Sequence, residues 1–550
     1  MALVVLLTAA LPLSLVSCDK EDDTQKQENK TNPDPEKPDN NPENPDNNPE
    51  NPDNKPENPT AETPTYSIIY YGHGGGDLDI SILENISHIM DANQDSYKKV
   101  RASVLYKMSS KESLTVLADK YQFTEEEFDV EKLAHKTLRF VVDSAKDFEE
   151  MLDQLPDDIV LDDADFDISS ADKLSEYIRW AAQQCPADKY ILVLSDHGGG
   201  YSPKDDLPLD VPSLSKGLVY NDGNDYDHLT IQKLTKAISE SGIRPEVIYL
   251  DACLMNTVEY QFELKSLTNY LLLSTFTVPG PGGDYRSLVN ELANNANIED
   301  ALSKFCKATV KRWDEITDEE TGDITYPYSD ISAIRTSSLD AFGAQWKEFT
   351  DRLIAAYQNG GTTKETIDEV TADMYAITLG SPLYDMIYFA KKIMEALPDH
   401  FDEQFAKDLV NAYNATIVCS KASSGLEKHG FQINTSILFG CNNHYTSHTW
   451  EESTEEEDGE EISIYEYTGY VTYEADGRML YYDEEGNQYD QMEWGSTFDN
   501  TYKQLKFDQL TNWSEWIEIN EQEAGDESPA EFQYEIIDGG FDMGEDEEDE

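Results

Sequence analysis

The 550-residue chain carries 111 Asp and Glu against 41 Lys and Arg, a formal net charge of −70. Such an acidic surface repels a phosphate backbone and excludes nucleic acid as a partner, while it suits basic ligands, calcium or simple solubility. The length allows two or three domains and a large buried core.

Ala2 to Val16 is apolar except for Thr8, Pro12 and Ser14, and it is too short for a comfortable membrane span. Residues 1–17 therefore read as a secretion signal. Leu15-Val16-Ser17-Cys18 resembles a bacterial lipobox, which implies lipidation of Cys18 after cleavage before it. Asp19-Lys20-Glu21-Asp22-Asp23 is similar to the acidic export signal of some Gram-negative lipoproteins, so the expected place is the outer membrane, facing outward. Residues 18–65 lack the apolar side chains that folding needs, and they contain seven-residue Pro-rich units beginning at Pro38, Pro45 and Pro52. At ~3.1 Å per residue, ~45 such residues reach on the order of 140 Å, which suits a tether.

From residue 66 the pattern is that of a folded domain. Tyr66 to Tyr71, Ala102 to Tyr106 and Thr137 to Val142 predict strands, and Leu78 to Met90 predicts an amphipathic helix. Lys173 to Ala182 predicts a helix leading into a strand at Tyr190 to Leu194. A helix capped by Thr230 leads into another strand at Val247 to Leu250. This alternation predicts a three-layer α/β sandwich around a mostly parallel sheet. Further helices are expected at Ala301 to Trp313, Phe342 to Tyr357, Tyr384 to Leu397 and Phe405 to Tyr413. The folded domain is drawn at 66–448. Residues 449–550 read as an acidic appendage with short antiparallel strands, such as Tyr465 to Tyr473, and a disordered tail.

Two strand ends carry reactive side chains. One runs Ser195-Asp196-His197-Gly198-Gly199-Gly200, and the other Asp251-Ala252-Cys253-Leu254-Met255. Ligands of an open parallel sheet bind at the carboxyl ends of its strands, so His197 and Cys253 form a candidate base and nucleophile. A helix expected from Met255 would put Cys253 beside free backbone N–H groups that favour a thiolate. His73-Gly74-Gly75-Gly76 is similar to the oxyanion loop of esterases, but the chain has no G-x-S-x-G elbow to go with it. His228, His429, His444 and His448 lack metal-ligand spacing. Cys185, Cys306, Cys419 and Cys441 read as buried thiols whose pairing the sequence leaves open.

Taken together, Asp196-His-Gly-Gly-Gly-Tyr201, Asp251-Ala-Cys-Leu-Met255 and Pro279-Gly-Pro-Gly-Gly-Asp-Tyr285 resemble the clostripain family of cysteine endopeptidases. Pro186 to Tyr190 and Leu218 to Thr230 support the resemblance, which extends over Tyr66 to Phe439. It implies a caspase-like α/β/α fold, His197 as base and proton shuttle, and Cys253 as nucleophile. Gly198 and the Cys253 N–H would form the oxyanion hole. It further implies cleavage after Arg or Lys, with Asp284 and, nearer the nucleophile, Asp251 facing the basic side chain. Self-cleavage between the two motifs would fall after Lys216 or Lys204. Calcium activates part of the family; no EF-hand spacing supports it here, and no other cofactor is expected. Two rival readings remain: a surface-displayed binding lipoprotein with a vestigial site, and a thiol hydrolase of non-protein esters or amides.

Overall fold

The computed structural model describes residues 63–521, except 122, 125–127, 144–145, 147, 162–165, 202–217, 221–227, 318–323, 328, 373–382, 424–431, 435–443, 458–459, 475–477, 484–485 and 494–501. Cys18, Lys204 and Lys216 thus lie outside the described residues.

Eight strands form the main sheet. They are β1 (Tyr66–His73), β2 (Val100–Lys107), β3 (Thr137–Val141), β4 (Lys189–Ser195), β5 (Val247–Asp251), β6 (Tyr270–Leu273), β7 (Asp330–Arg335) and β8 (Ile417–Ala422). Their order is β8-β7-β6-β5-β4-β1-β2-β3. The five strands from β2 to β6 in that row are parallel, and β3, β7 and β8 each pair antiparallel with their inner neighbour. From β1 the chain builds outward through β2 and β3, then returns to lay β4 on the other side of β1. The reversal opens a crevice between β1 and β4 at their carboxyl ends.

The central strands are apolar at nearly every position because both faces are covered. On one face Ile69, Leu192, Leu194, Ile248 and Leu250 pack beneath α2 (Ala171–Gln184), α3 (Ile231–Ser241), α4 (Val258–Leu264) and α7 (Leu339–Gln358). On the other, α1 (Asp79–Met90), α5 (Tyr285–Asn294) and α6 (Ile298–Asp314) cover Tyr70 and Tyr249, whose rings meet Tyr285 and Phe305 edge-on or tilted. The expected three-layer α/β/α sandwich with a mostly parallel sheet is present.

Capping agrees with the sequence signals. Thr230 Oγ1 accepts from Lys233 N at 3.1 Å to start α3, and Ser170 does the same for α2. The sequence pattern missed β7 and β8, which are short and alternate weakly.

Beyond residue 443 the chain forms the expected antiparallel strands, at His444–Glu457, Glu460–Glu474, Arg478–Tyr482 and Gln488–Glu493. Two helices that no sequence pattern announced, Lys506–Thr511 and Trp513–Glu521, then return to the main core, where Phe507, Trp513 and Trp516 are fully buried. Phe507 meets Phe262 of α4, and Trp513 meets Trp346 of α7. The Tyr502 hydroxyl donates to buried Glu259 of α4 at 2.9 Å, and its ring packs edge-on against Tyr201. This part of the expected appendage is therefore core, tied at once to the glycine loop after His197 and to the helix after Cys253.

Candidate active site

The register of the sheet sets the site. Gly72 of β1 pairs with Ser195 of β4, and Ser195 pairs with Asp251 of β5, so the three strands end at one level. His197 and Cys253 each lie two residues past a mutually paired position. Gly198 then packs on the Cys253 backbone: a Cβ on it would lie 3.0 Å from Cys253 N and 2.5 Å from Cys253 O. Only glycine permits so close an approach.

Cys253 does not sit at a helix start, contrary to the sequence expectation. Helix α4 begins at Val258, capped by Thr257, and the intervening residues pair instead with the loop after β6. Leu254 N donates to Phe276 O at 3.0 Å and Asn256 N to Ser274 O at 2.9 Å. Leu254 has φ +63°, a left-handed conformation uncommon for a branched residue, directly after the nucleophile. The facing loop is gripped by buried Asp330, whose Oδ1 accepts from Thr275 N at 2.7 Å and Phe276 N at 2.8 Å. It delivers Val278 N to the Cys253 sulfur at 3.2 Å. Burial pushes the Cys253 thiol above its usual range. The Val278 N–H offsets part of that, and the Asp251 charge adds to it. Burial therefore disfavours the thiolate that a helix start would have favoured.

His197 is oriented from the opposite side. Its Nε2 lies 2.6 Å from Asp77 Oδ1, in the loop after β1. Burial alone would lower its pKa, but the Asp77 hydrogen bond and the charges of Asp196 and Asp77 outweigh that and raise it. The same hydrogen bond holds Asp77 below the usual carboxylate range. Asp77 was not singled out from the sequence. It directly follows the His73-Gly74-Gly75-Gly76 run at the end of β1, whose resemblance to an esterase loop drew attention to His73 instead. His73 itself is buried, with Nδ1 at 2.8 Å from Lys107 O.

Asp251 is fully buried on the α1–α5–α6 face, where it accepts from the hydroxyls of Tyr249 (2.6 Å) and Tyr285 (2.5 Å). Burial raises its pKa against these hydrogen bonds. Asp284 caps α5: Oδ1 accepts from Ser287 N and Oδ2 from Ser287 Oγ, both at 2.9 Å. The loop between the two acids is held by α6. Arg312 donates to Pro281 O (3.2 Å), Gly283 O (3.1 Å) and Glu84 Oε1 (2.8 Å), and Trp313 Nε1 donates to Gly282 O at 2.8 Å. Neither Arg312 nor Trp313 was singled out from the sequence. Among the described residues no group of three or more His, Cys, Asp or Glu side chains is placed to hold a metal ion. No described helix is long and apolar enough to cross a membrane.

The ends of two paired strands thus carry an imidazole backed by a carboxylate and a thiol that accepts from the Val278 N–H, residue types that acyl transfer through sulfur uses. Clostripain from Hathewaya histolytica is 26% identical over 161 residues, a match spanning 27% of this chain and 30% of that protein. A secreted cysteine protease from Bacteroides thetaiotaomicron, solved with an irreversible peptide inhibitor, is 16% identical with a TM-score of 0.45, over 68% of this chain and 92% of that one. An inactive zymogen protease from Parabacteroides distasonis is 13% identical with a TM-score of 0.45, over 82% and 98% of the respective chains. At such values neither structure carries residue roles to this chain. The clostripain-family profile matches residues 82–519, from α1 to the last described helix, with both reactive strand ends inside it. The chain belongs to the clostripain family of cysteine peptidases.

Proposed function

We propose that the chain is an endopeptidase that cuts after Arg or Lys through a Cys253–His197 pair. The observation that supports this reading is the seating of Gly198 on the Cys253 backbone, which brings the two strand ends together. In the first step the Cys253 sulfur bonds to the scissile carbonyl carbon while its proton passes to His197. The carbonyl oxygen takes up the π pair as an oxyanion facing the Gly198 and Cys253 N–H groups. Collapse breaks the C–N bond, His197 protonates the leaving amine, and an acyl-enzyme remains. Water, deprotonated by His197, then releases the acid and restores the thiol.

Selectivity for a basic side chain is supported by Asp251, a buried carboxylate beside the nucleophile that keeps acceptor capacity beyond its two tyrosine hydroxyls. A guanidinium or ammonium there would offset the charge that burial disfavours. Asp284 directly follows Gly283, whose N–H points at Asp251, and its carboxylate is engaged in the α5 cap. Fluorogenic peptides with Arg, Lys or a neutral residue before the scissile bond test the reading, assayed with and without a thiol alkylator and beside Cys253→Ala. Equal turnover of neutral peptides removes the selectivity, and alkylator-resistant activity removes the mechanism.

Self-cleavage after Lys216, or otherwise Lys204, belongs to the same proposal. Its support is that Leu218, two residues beyond Lys216 in sequence, is bridged antiparallel to Gly198. Intact-mass analysis beside Cys253→Ala decides: one unbroken chain in both samples ends the idea. The substrates are proteins or peptides with basic residues. Lipidation of Cys18 would tether the enzyme to the outer membrane; if wild type and Cys18→Ala fractionate alike, the anchor is wrong.

A further inference from the structure

The loop after β1 is built around the imidazole of His197. Gly75 adopts φ +55°, and a Cβ on it would lie 2.7 Å from His197 Cδ2 and 2.6 Å from Asp196 Oδ1, so its backbone rests on the ring edge. Four hydrogen bonds fix the loop. Gly76 N donates to Ser109 Oγ at 2.9 Å. Leu78 N closes the turn on Gly74 O at 2.7 Å. Asp79, wholly buried at the start of α1, accepts from the Tyr106 hydroxyl and from Ser109 N at 3.2 Å. This scaffold carries Asp77 Oδ1 to 2.6 Å from Nε2. An exposed ion pair of chance geometry would not need a buried acid and a left-handed glycine behind it.

We propose that Asp77 is a positioning residue for His197: its carboxylate accepts the Nε2 proton, fixes the ring, and leaves Nδ1 to exchange a proton with the Cys253 sulfur. The inference rests on the thiol-peptidase reading above and adds a third strand end, that of β1, to the two already assigned. The charged groups that act on the imidazole are Asp77 from the β1 loop and Asp196 from its own strand end. Asp196 Oδ1 accepts from the backbone N–H of His197 at 2.6 Å, so Asp77 is the acid that addresses a ring nitrogen. In the resting state the carboxylate selects the tautomer; once the ring takes the thiol proton, it stabilises the imidazolium.

Asp77 is largely exposed, its side chain 63% accessible, so its substitution leaves the fold intact. The test combines kinetics of Asp77→Asn, Asp77→Ala and Asp77→Glu with imidazole ¹⁵N shifts of His197 in the Cys253→Ala chain, with and without Asp77→Ala. Expected are a loss in kcat of about ten- to a hundredfold for Asn and Ala with KM nearly unchanged, a lower acid limb in kcat/KM, and partial recovery with Glu. The ¹⁵N shifts should report Nε2–H while Asp77 is present and a tautomer mixture in Asp77→Ala. An unmoved acid limb with unchanged kcat overturns the proposal. So does a faster Asp77→Ala enzyme, in which Asp77 would be holding the ring away from the sulfur. If wild type shows no Cys253-dependent activity, the peptidase reading fails, and the ¹⁵N shifts still decide for or against Asp77: an Nδ1–H tautomer overturns it.

Discussion

Gly198 is packed so tightly on Cys253 that a single added carbon would come within 2.5 Å of the Cys253 carbonyl oxygen. That oxygen is backbone and cannot rotate aside. Gly198→Ala must therefore push the β4 and β5 ends apart, moving His197 and both oxyanion donors. A shift of about 1 Å costs ~100-fold in rate. We expect kcat to fall by about that factor while circular dichroism stays that of wild type; retained turnover would mean the two loops are not coupled in solution.

The ionisation of the pair predicts an unusual pH profile. His197 must be neutral to accept the thiol proton, and its pKa is raised above the ordinary 6.5. Activity should accordingly be lost as pH falls through a value above 6.5, not below it. Cys253 lies above the ordinary thiol value of 9.0, so alkylation of the free enzyme by iodoacetamide, mapped to Cys253 by mass spectrometry, should still be rising at that pH. A plateau near neutrality would reveal a preformed thiolate and contradict the burial argument.

Tyr502 tests the C-terminal helices. Tyr502→Phe keeps the ring against Tyr201 and removes the hydroxyl that donates to buried Glu259. Loss of a donor to a buried charge costs about 1–3 kcal/mol. Trp513→Ala, which empties a site in the main core, should cost about 3–5 kcal/mol. Thermal melts of both variants check this, and unchanged midpoints would detach these helices from the domain.

Arg312 spans two carbonyls and Glu84 with one guanidinium, a fork that lysine cannot reproduce. Arg312→Lys should loosen the loop between Asp251 and Asp284 and destabilise the fold by about 1–3 kcal/mol. It should also narrow the preference for Arg and Lys peptides over neutral ones. A melt and the fluorogenic panel read both effects, and an intact preference would separate selectivity from this loop.

Much of the architecture was legible because the parallel strands announce themselves. Ile191–Leu194 and Val247–Leu250 are continuous apolar runs, and Thr230 marks the helix that joins them. His197 and Cys253 could be read as a pair because strand-end placement is a local property. Asp77 could not: its relation to His197 depends on β1 lying beside β4, and that adjacency comes from the reversal of winding, which no local pattern encodes. The return of Phe507, Trp513 and Trp516 was hidden for a similar reason. Their run is short and comes after an acidic, strand-forming stretch, so only long-range packing shows where it docks. The start of α4 was misjudged because Met255, Val258 and Phe262 have helical spacing, whereas pairing of Leu254 and Asn256 with the loop after β6 claims the backbone there first.

β4 and β5 are hydrogen-bonded neighbours, although the chain between them includes residues 202–217. A break anywhere in that stretch would leave the two halves side by side in one sheet, hydrogen-bonded along β4 and β5. The nicked enzyme should migrate as a single particle on gel filtration and come apart only in detergent or denaturant. Maturation would therefore leave no trace in a native purification.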